Sequence, residues 1–118
     1  MVRKVAIDAG ERDRQITIQQ LTESVGGTRF PVESWSTLAT VFARREDLGG
    51  RERFMAHQLS APYDTRWEIP YRLDMDPDEV DVPKKRRLVY KSRTYDIVSA
   101  SMIGRYEGVE LLTLARNG

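Results

Sequence analysis

A short helix-like segment interrupts a chain whose other patterns are those of β-strands. Residues 51–60 include no β-branched residue, and Met55 and Leu59 lie four positions apart on one face. Gly49 and Gly50 precede this segment, and Pro62 limits it, because the residue before a proline is pushed out of the helical region. A helix of about three turns at most, placed between two long strands, restricts the possible folds more than composition does.

Six other segments show the patterns of strands, and most of them alternate polar with apolar residues. They are residues 15–21, 33–45, 65–73, 88–90, 94–98 and 108–115. The pattern predicts a mainly β fold: a small six-stranded antiparallel barrel or sandwich with one short helix between strands two and three. We expect a single domain over residues 1–118, with an extended N-terminal arm at 1–12 and a charged loop at 74–87.

Two strands carry additional information. In the second, one face carries Trp35, Ala39, Val41 and Ala43, while Leu38 and Phe42 occupy the other. Since both faces are partly apolar, we expect this strand to be bent, as in small barrels. In the third, Pro70 cannot donate a ladder hydrogen bond, so its side of the strand is expected to be an edge or a bulge.

Composition excludes several classes of function. The 19 Lys and Arg residues against 18 Asp and Glu leave a net charge of +1, which provides no overall field for nucleic acid or a membrane surface. The absence of cysteine excludes disulfides and thiolate zinc sites. No segment approaches the roughly 20 apolar residues of a membrane span. We expect a soluble protein made in the cytoplasm.

The residues offer little from which to build a catalytic or metal site. His57 is the single histidine, and no nucleophile motif is present, so we expect no enzyme and no cofactor. Asp74, Asp76 and Asp78 have the spacing of the first three ligands of a calcium loop. The match fails further on, since Glu79 stands where that loop needs glycine. A solvated acidic loop is the better interpretation.

Four consecutive cations, residues 84–87, follow the acidic stretch directly. This run is interpreted in three ways: as a contact with phosphate, as a solvated strand entrance balanced by the acidic loop, or as one half of a charge pairing across subunits. The aromatic residues lie mostly at predicted inward positions, so core packing explains them more simply than base stacking.

The order of these segments resembles the head–tail joining family of tailed bacteriophages, also called head-closure or stopper proteins. Each motif is weak alone, and the ordered set carries the resemblance, from about residue 10 to residue 114. The matching stretches are residues 10–19, Trp35 with 39–44, 48–52, 65–72, Tyr90 with 93–98, and 109–112. One departure is Lys91-Ser92, which stands where family members usually have glycine in a hairpin, so the turn type is left open.

The resemblance implies a structural, non-enzymatic protein of the virion neck, made in the bacterial host. Such a protein assembles as a ring of six or twelve copies below a portal and its adaptor, and it meets a tail terminator or tail tube protein below. Packaged double-stranded DNA passes through the lumen without sequence-specific binding, and no membrane is involved. A tail terminator or tail-completion ring is the nearest alternative. An OB-like nucleic-acid-binding module is the alternative from a different class.

Two segments are the predicted interface or channel residues. The first lies between strands two and three, where it is placed to contact an adjacent ring or narrow the channel. The second is the basic part of the charged loop, a candidate for contact between subunits or with the tail. Together they comprise Glu46, Asp47, Leu48, Gly49, Gly50, Arg51, Glu52, Lys84, Lys85, Arg86 and Arg87.

Overall fold

The six predicted strands form a closed antiparallel barrel. The computed structural model describes residues 13–24, 32–48 and 63–116. Its strands lie in the closed order β1-β2-β3-β6-β5-β4. They are β1 (Arg14–Ser24), β2 (Val32–Asp47), β3 (Thr65–Pro70), β4 (Arg86–Tyr90), β5 (Arg93–Ile103) and β6 (Gly108–Ala115). The mainly β, six-stranded antiparallel prediction is confirmed, and the architecture is the barrel rather than the sandwich.

The charged segment between β3 and β4 contains short helical turns. A 3-10 turn spans Leu73–Met75, and a four-residue helix α1 spans Val82–Lys85. The segment predicted as a charged loop, 74–87, therefore ends inside β4. The helix predicted over residues 51–60 and the arm predicted over residues 1–12 lie outside the described residues.

The barrel interior is filled by the inward-facing side chains of all six strands. Trp67 lies among them, with edge-to-face contacts to Tyr90 and Tyr95 at ring-centroid distances of 5.4 and 5.3 Å. Its indole Nε1–H donates to the Thr113 hydroxyl at 2.9 Å, and that hydroxyl donates to the Thr65 carbonyl at 3.0 Å. The rest of the buried cluster is Ile16, Ile18, Ala43, Ile69, Met75, Val82, Leu88, Ile97, Val109 and Leu111.

A β-bulge in β2 supplies the predicted bend. Ile18 pairs with Ala39, whereas the next residue of β1, Gln19, pairs with Thr37, so Leu38 is the extra residue. The extra residue reverses the alternation of side chains before it. Trp35 therefore shares the outer face with Gln19, and the prediction that placed it on the face of Ala39 is wrong.

The barrel closes between β2 and β3 along a short seam. Pairing there runs from Asp47 with Thr65 to Arg44 with Glu68, whereas β3 and β6 continue to pair as far as Pro70. On the side of β3 that faces β2, the hydrogen-bond ladder thus ends before Pro70, which has no N–H to donate, as predicted. On the side of β2 away from β1, residues 32–43 have no strand partner among the described residues. We call these residues the open edge of β2.

The β4–β5 hairpin turns through two non-glycine residues with positive φ. Lys91 has φ 48° and Ser92 has φ 66°. Positive φ at both central residues is the requirement of a type I′ turn, which is normally met by asparagine and glycine. The turn is therefore of the tight hairpin type despite lacking glycine, and it carries backbone strain at both positions.

Candidate functional site

The residues predicted between strands two and three fall at the end of β2 and beyond it. Glu46 and Asp47 are the last residues of β2. Leu48 is buried, and its backbone N–H donates to the Asp64 carbonyl at 3.1 Å, which ties the end of β2 to the start of β3. The remaining predicted residues of this segment, Gly49, Gly50, Arg51 and Glu52, lie outside the described residues.

Glu46 belongs to a ladder of opposite charges on the outer face of β2, β3 and β6. Its carboxylate lies 3.3 Å from Arg66 and 3.8 Å from Arg44. Arg44 also lies 3.5 Å from Glu68, and Arg66 lies 3.8 Å from Glu110. Half-exposed pairs of this kind each contribute at most about 1 kcal/mol. The ladder neutralises this face locally, so Glu46 is not an isolated anionic contact.

Asp47 holds an arginine over the aromatic residues of the core. Its carboxylate accepts a hydrogen bond from Arg45 Nε at 2.9 Å. The Arg45 guanidinium carbon lies 5.5, 5.4 and 6.0 Å from the ring centroids of Trp67, Tyr90 and Tyr95. Burial lowers the pKa of Arg45, but the Asp47 hydrogen bond and nearby charges raise it overall, so the cation persists at this end of the barrel. Sequence reasoning did not find this role.

The basic run does not form one cationic surface. Lys84 and Lys85 are exposed in the last turn of α1. Arg86 turns back, donating to the backbone carbonyls of Asp74 and Lys85, both at 3.1 Å. The two lysines are thus the residues of this run that are most available to a partner.

Arg87 is occupied by contacts within the chain. Its guanidinium carbon lies 4.4 Å from the Trp35 ring centroid, and its Nε donates to Gln19 Oε1 at 2.6 Å. Burial, followed by the nearby charge of Arg116, lowers the pKa of Arg87. These contacts attach the outer face of β4 to the β1–β2 hairpin. The predicted interface residue therefore acts in packing between strands.

The acidic stretch uses its carboxylates to shape the loop. Asp76 is only 3% exposed and accepts hydrogen bonds from the Tyr71 hydroxyl at 2.7 Å and the Asp78 backbone N–H at 2.8 Å. The hydrogen bond to Asp76 is the main cause that raises the pKa of Tyr71 to about 12. Asp74 accepts both Nε and an Nη of Arg72 at 2.9 Å. Two of the three calcium-like aspartates thus already have protein partners.

Exposed apolar side chains mark two further surfaces. Phe42 on the outer face of β2 is 56% exposed. The second surface lies at the end of the barrel near the β5–β6 turn, where Leu73 is 66% exposed and Tyr106 is 62% exposed. Leu73 also borders an open cleft, which is lined by Arg72 and Glu79 as well. The signal for Phe42 was present in the sequence, as an aromatic on the second face of a long strand.

The described segments show no group of three or more His, Cys, Asp or Glu residues arranged to hold a metal ion. In the same segments, no helix is long and apolar enough to cross a membrane.

Comparisons with known proteins agree with this architecture. A family model described as phage head completion protein matches residues 7–116. The solution structure of protein SF1141 from Shigella flexneri 2a is similar, with a TM-score of 0.70 and 20% sequence identity. The similarity covers 92% of this chain and 96% of that chain, and at this identity it shows the fold alone. No curated protein sequence matches the chain.

Proposed function

Because the chain belongs to the phage head completion protein family, a family of structural virion components, we propose that it is a ring subunit in the head–tail neck. In that position the ring closes the DNA-filled head and offers an attachment surface to the tail. The observation that carries the proposal is the extent of the family match, which runs from residue 7 to residue 116 and so spans all six strands.

The proposed assembly is a closed ring of six or twelve copies. Its partners are a portal or adaptor protein above, a tail terminator or tail tube protein below, and packaged double-stranded DNA in the lumen. Lys84 and Lys85 support a role for the α1 surface in contacts with partners, because both side chains are exposed. Electrostatic complementarity at such a surface fixes register and accelerates encounter.

A deletion of the gene in its phage tests this role. We expect tailless heads that package DNA and then lose it, together with complete free tails, and we expect the supplied protein to restore joining. Imaging of the tailless, filled heads of a phage that retains this gene but makes no tails assigns the position of the protein. A closure protein remains on the heads, whereas presence on the tails alone would contradict the proposal and favour a tail terminator.

The ring itself is tested by the mass of the protein bound to its portal complex. We expect a mass increment of six or twelve copies. A single bound copy, or no binding at all, would contradict the ring.

A further inference from the structure

The open edge of β2 is unusual for the edge of a folded sheet. It presents unpaired backbone groups along residues 32–43, in the part of the chain that the structure describes. Residues 34–43 contain no charge, no proline and no glycine. Folded proteins normally protect an edge of this length with charges, prolines, a bulge or a covering segment, because an open edge pairs with other chains. Within residues 32–43 this protection is limited to the charge of Glu33 and the bulge at Leu38.

The side chains along this edge are also accessible. Ser36, Thr37 and Thr40 are exposed, and Phe42 is 56% exposed. The same strand pairs with β1 on its other side on both sides of the bulge at Leu38, so its backbone is already extended and held in place to receive another strand. An edge of this kind binds an extended peptide through main-chain hydrogen bonds, with an apolar side chain such as Phe42 as a neighbouring contact.

We propose that the open edge of β2 receives the N-terminal arm, residues 1–12, of a second copy of this chain as an added antiparallel or parallel strand. The inference deepens the proposed function and rests on the ring proposed above. It identifies the contact that links one subunit to the next.

The arm has the composition of a strand that pairs with such an edge. Residues 2–9 contain neither proline nor glycine, and Val5 and Ile7 alternate with Lys4, Ala6 and Asp8. Twelve extended residues span about 40 Å, which is also about the length of the twelve-residue open edge. Val5 and Ile7 supply apolar side chains that match Phe42.

Topology favours an arm from a neighbour over the chain's own arm. β1 begins at Arg14, which pairs with Ala43 on the side of β2 opposite to the open edge. A chain that continues backwards from Asp13 along the line of β1 stays on that opposite side. To reach its own open edge, the arm would have to cross over β2.

The absence of cysteine makes disulfide trapping a clean test. Two single variants are mixed under mild oxidation in the presence of the portal complex: Thr40→Cys, and an arm variant with cysteine at position 4, 5, 6 or 7 in turn. Ser101→Cys, on the exposed surface of β5, replaces the Thr40 variant as the control for random collision. We expect disulfides between copies for alternate arm positions only, at least tenfold more abundant with Thr40→Cys than with the control.

Other outcomes overturn the inference. One is a disulfide that forms only within one chain, in a variant carrying both cysteines, which would mean that the arm covers its own edge. Another is equal trapping at all arm positions and at the control site, and a third is no trapping at all. A ring that assembles at full copy number after deletion of residues 1–12 would also refute the arm contact while leaving the proposed function intact.

Discussion

Replacing Thr113 by valine removes the polar link inside the barrel with almost no change of shape. The Thr113 side chain is fully buried. Its hydroxyl accepts a hydrogen bond from Trp67 Nε1–H at 2.9 Å and donates one to the Thr65 carbonyl at 3.0 Å. In Thr113→Val, the indole N–H is left in the core without an acceptor.

The expected loss follows from the orphaned donor. A buried polar group without a partner costs about 1–3 kcal/mol, while the added methyl group returns only a fraction of this. We therefore expect the free energy of unfolding to fall by about 2 kcal/mol. For a domain of this size, that lowers Tm by roughly 8 °C, at about 4 °C for each kcal/mol.

A double-mutant cycle with Trp67→Phe isolates the hydrogen bond from the cost of altered packing. Unfolding in urea is followed by circular dichroism, so that the signal does not depend on the tryptophan that is removed. With phenylalanine at position 67 there is no indole donor to orphan, and Thr113→Val loses only the hydrogen bond to the Thr65 carbonyl, so it should cost about 1 kcal/mol less than in the Trp67 background. Equal losses in both backgrounds would refute the reasoning, because the destabilisation would then not come from the indole donor.

Three further predictions follow from contacts of the described residues. The hydrogen bond to Asp76 raises the pKa of Tyr71 to about 12, so the stabilisation that the protonated hydroxyl provides should be complete below about pH 10 and lost as the pH rises towards 12. Ultraviolet titration should show a late component that Tyr71→Phe removes. A Cβ at Gly108 would lie 2.9 Å from a backbone oxygen of β3. Gly108→Ala should therefore lower the free energy of unfolding, measured by urea denaturation, by about 1–3 kcal/mol. An unchanged free energy of unfolding would contradict this close packing. Arg87→Lys keeps the charge but loses the guanidinium that stacks on Trp35. The tryptophan fluorescence should change, and the free energy of unfolding should fall by about 1 kcal/mol. An unchanged fluorescence spectrum would show that Arg87 does not cover the Trp35 ring.

The strands could be predicted from sequence because their burial follows a period of two. Ile16 and Ile18, and Trp67 and Ile69, alternate with polar residues, and both pairs are fully buried in the barrel. Pro70 likewise limits the ladder on the side of β2 for a purely local reason, its missing N–H. Local chemistry of this kind is readable without knowledge of the fold.

The surface roles were not predictable, because they depend on which strands become neighbours. The bulge at Leu38 has no local signature in an uncharged, β-prone stretch, and it decides that Trp35 lies on the outer face. Arg87 then meets Trp35 only because β4 pairs with β1 in one register. A run of four cations in the sequence is therefore divided in space into two exposed lysines and two arginines engaged within the chain.

The closed barrel consists of two pieces that are joined by short seams. β1 and β2 form a long ribbon of eleven residue pairs, and this ribbon meets the four-stranded remainder through four pairs with β3 and four with β4. Native-state hydrogen exchange resolves structures of this kind into cooperative units that open at different free energies. We therefore expect amides at the two seams to exchange before those shared by β5 and β6. Because Ile16 and Ile18 of the ribbon belong to the shared core, we expect the part of the hairpin beyond the seams to change its angle while that core stays folded.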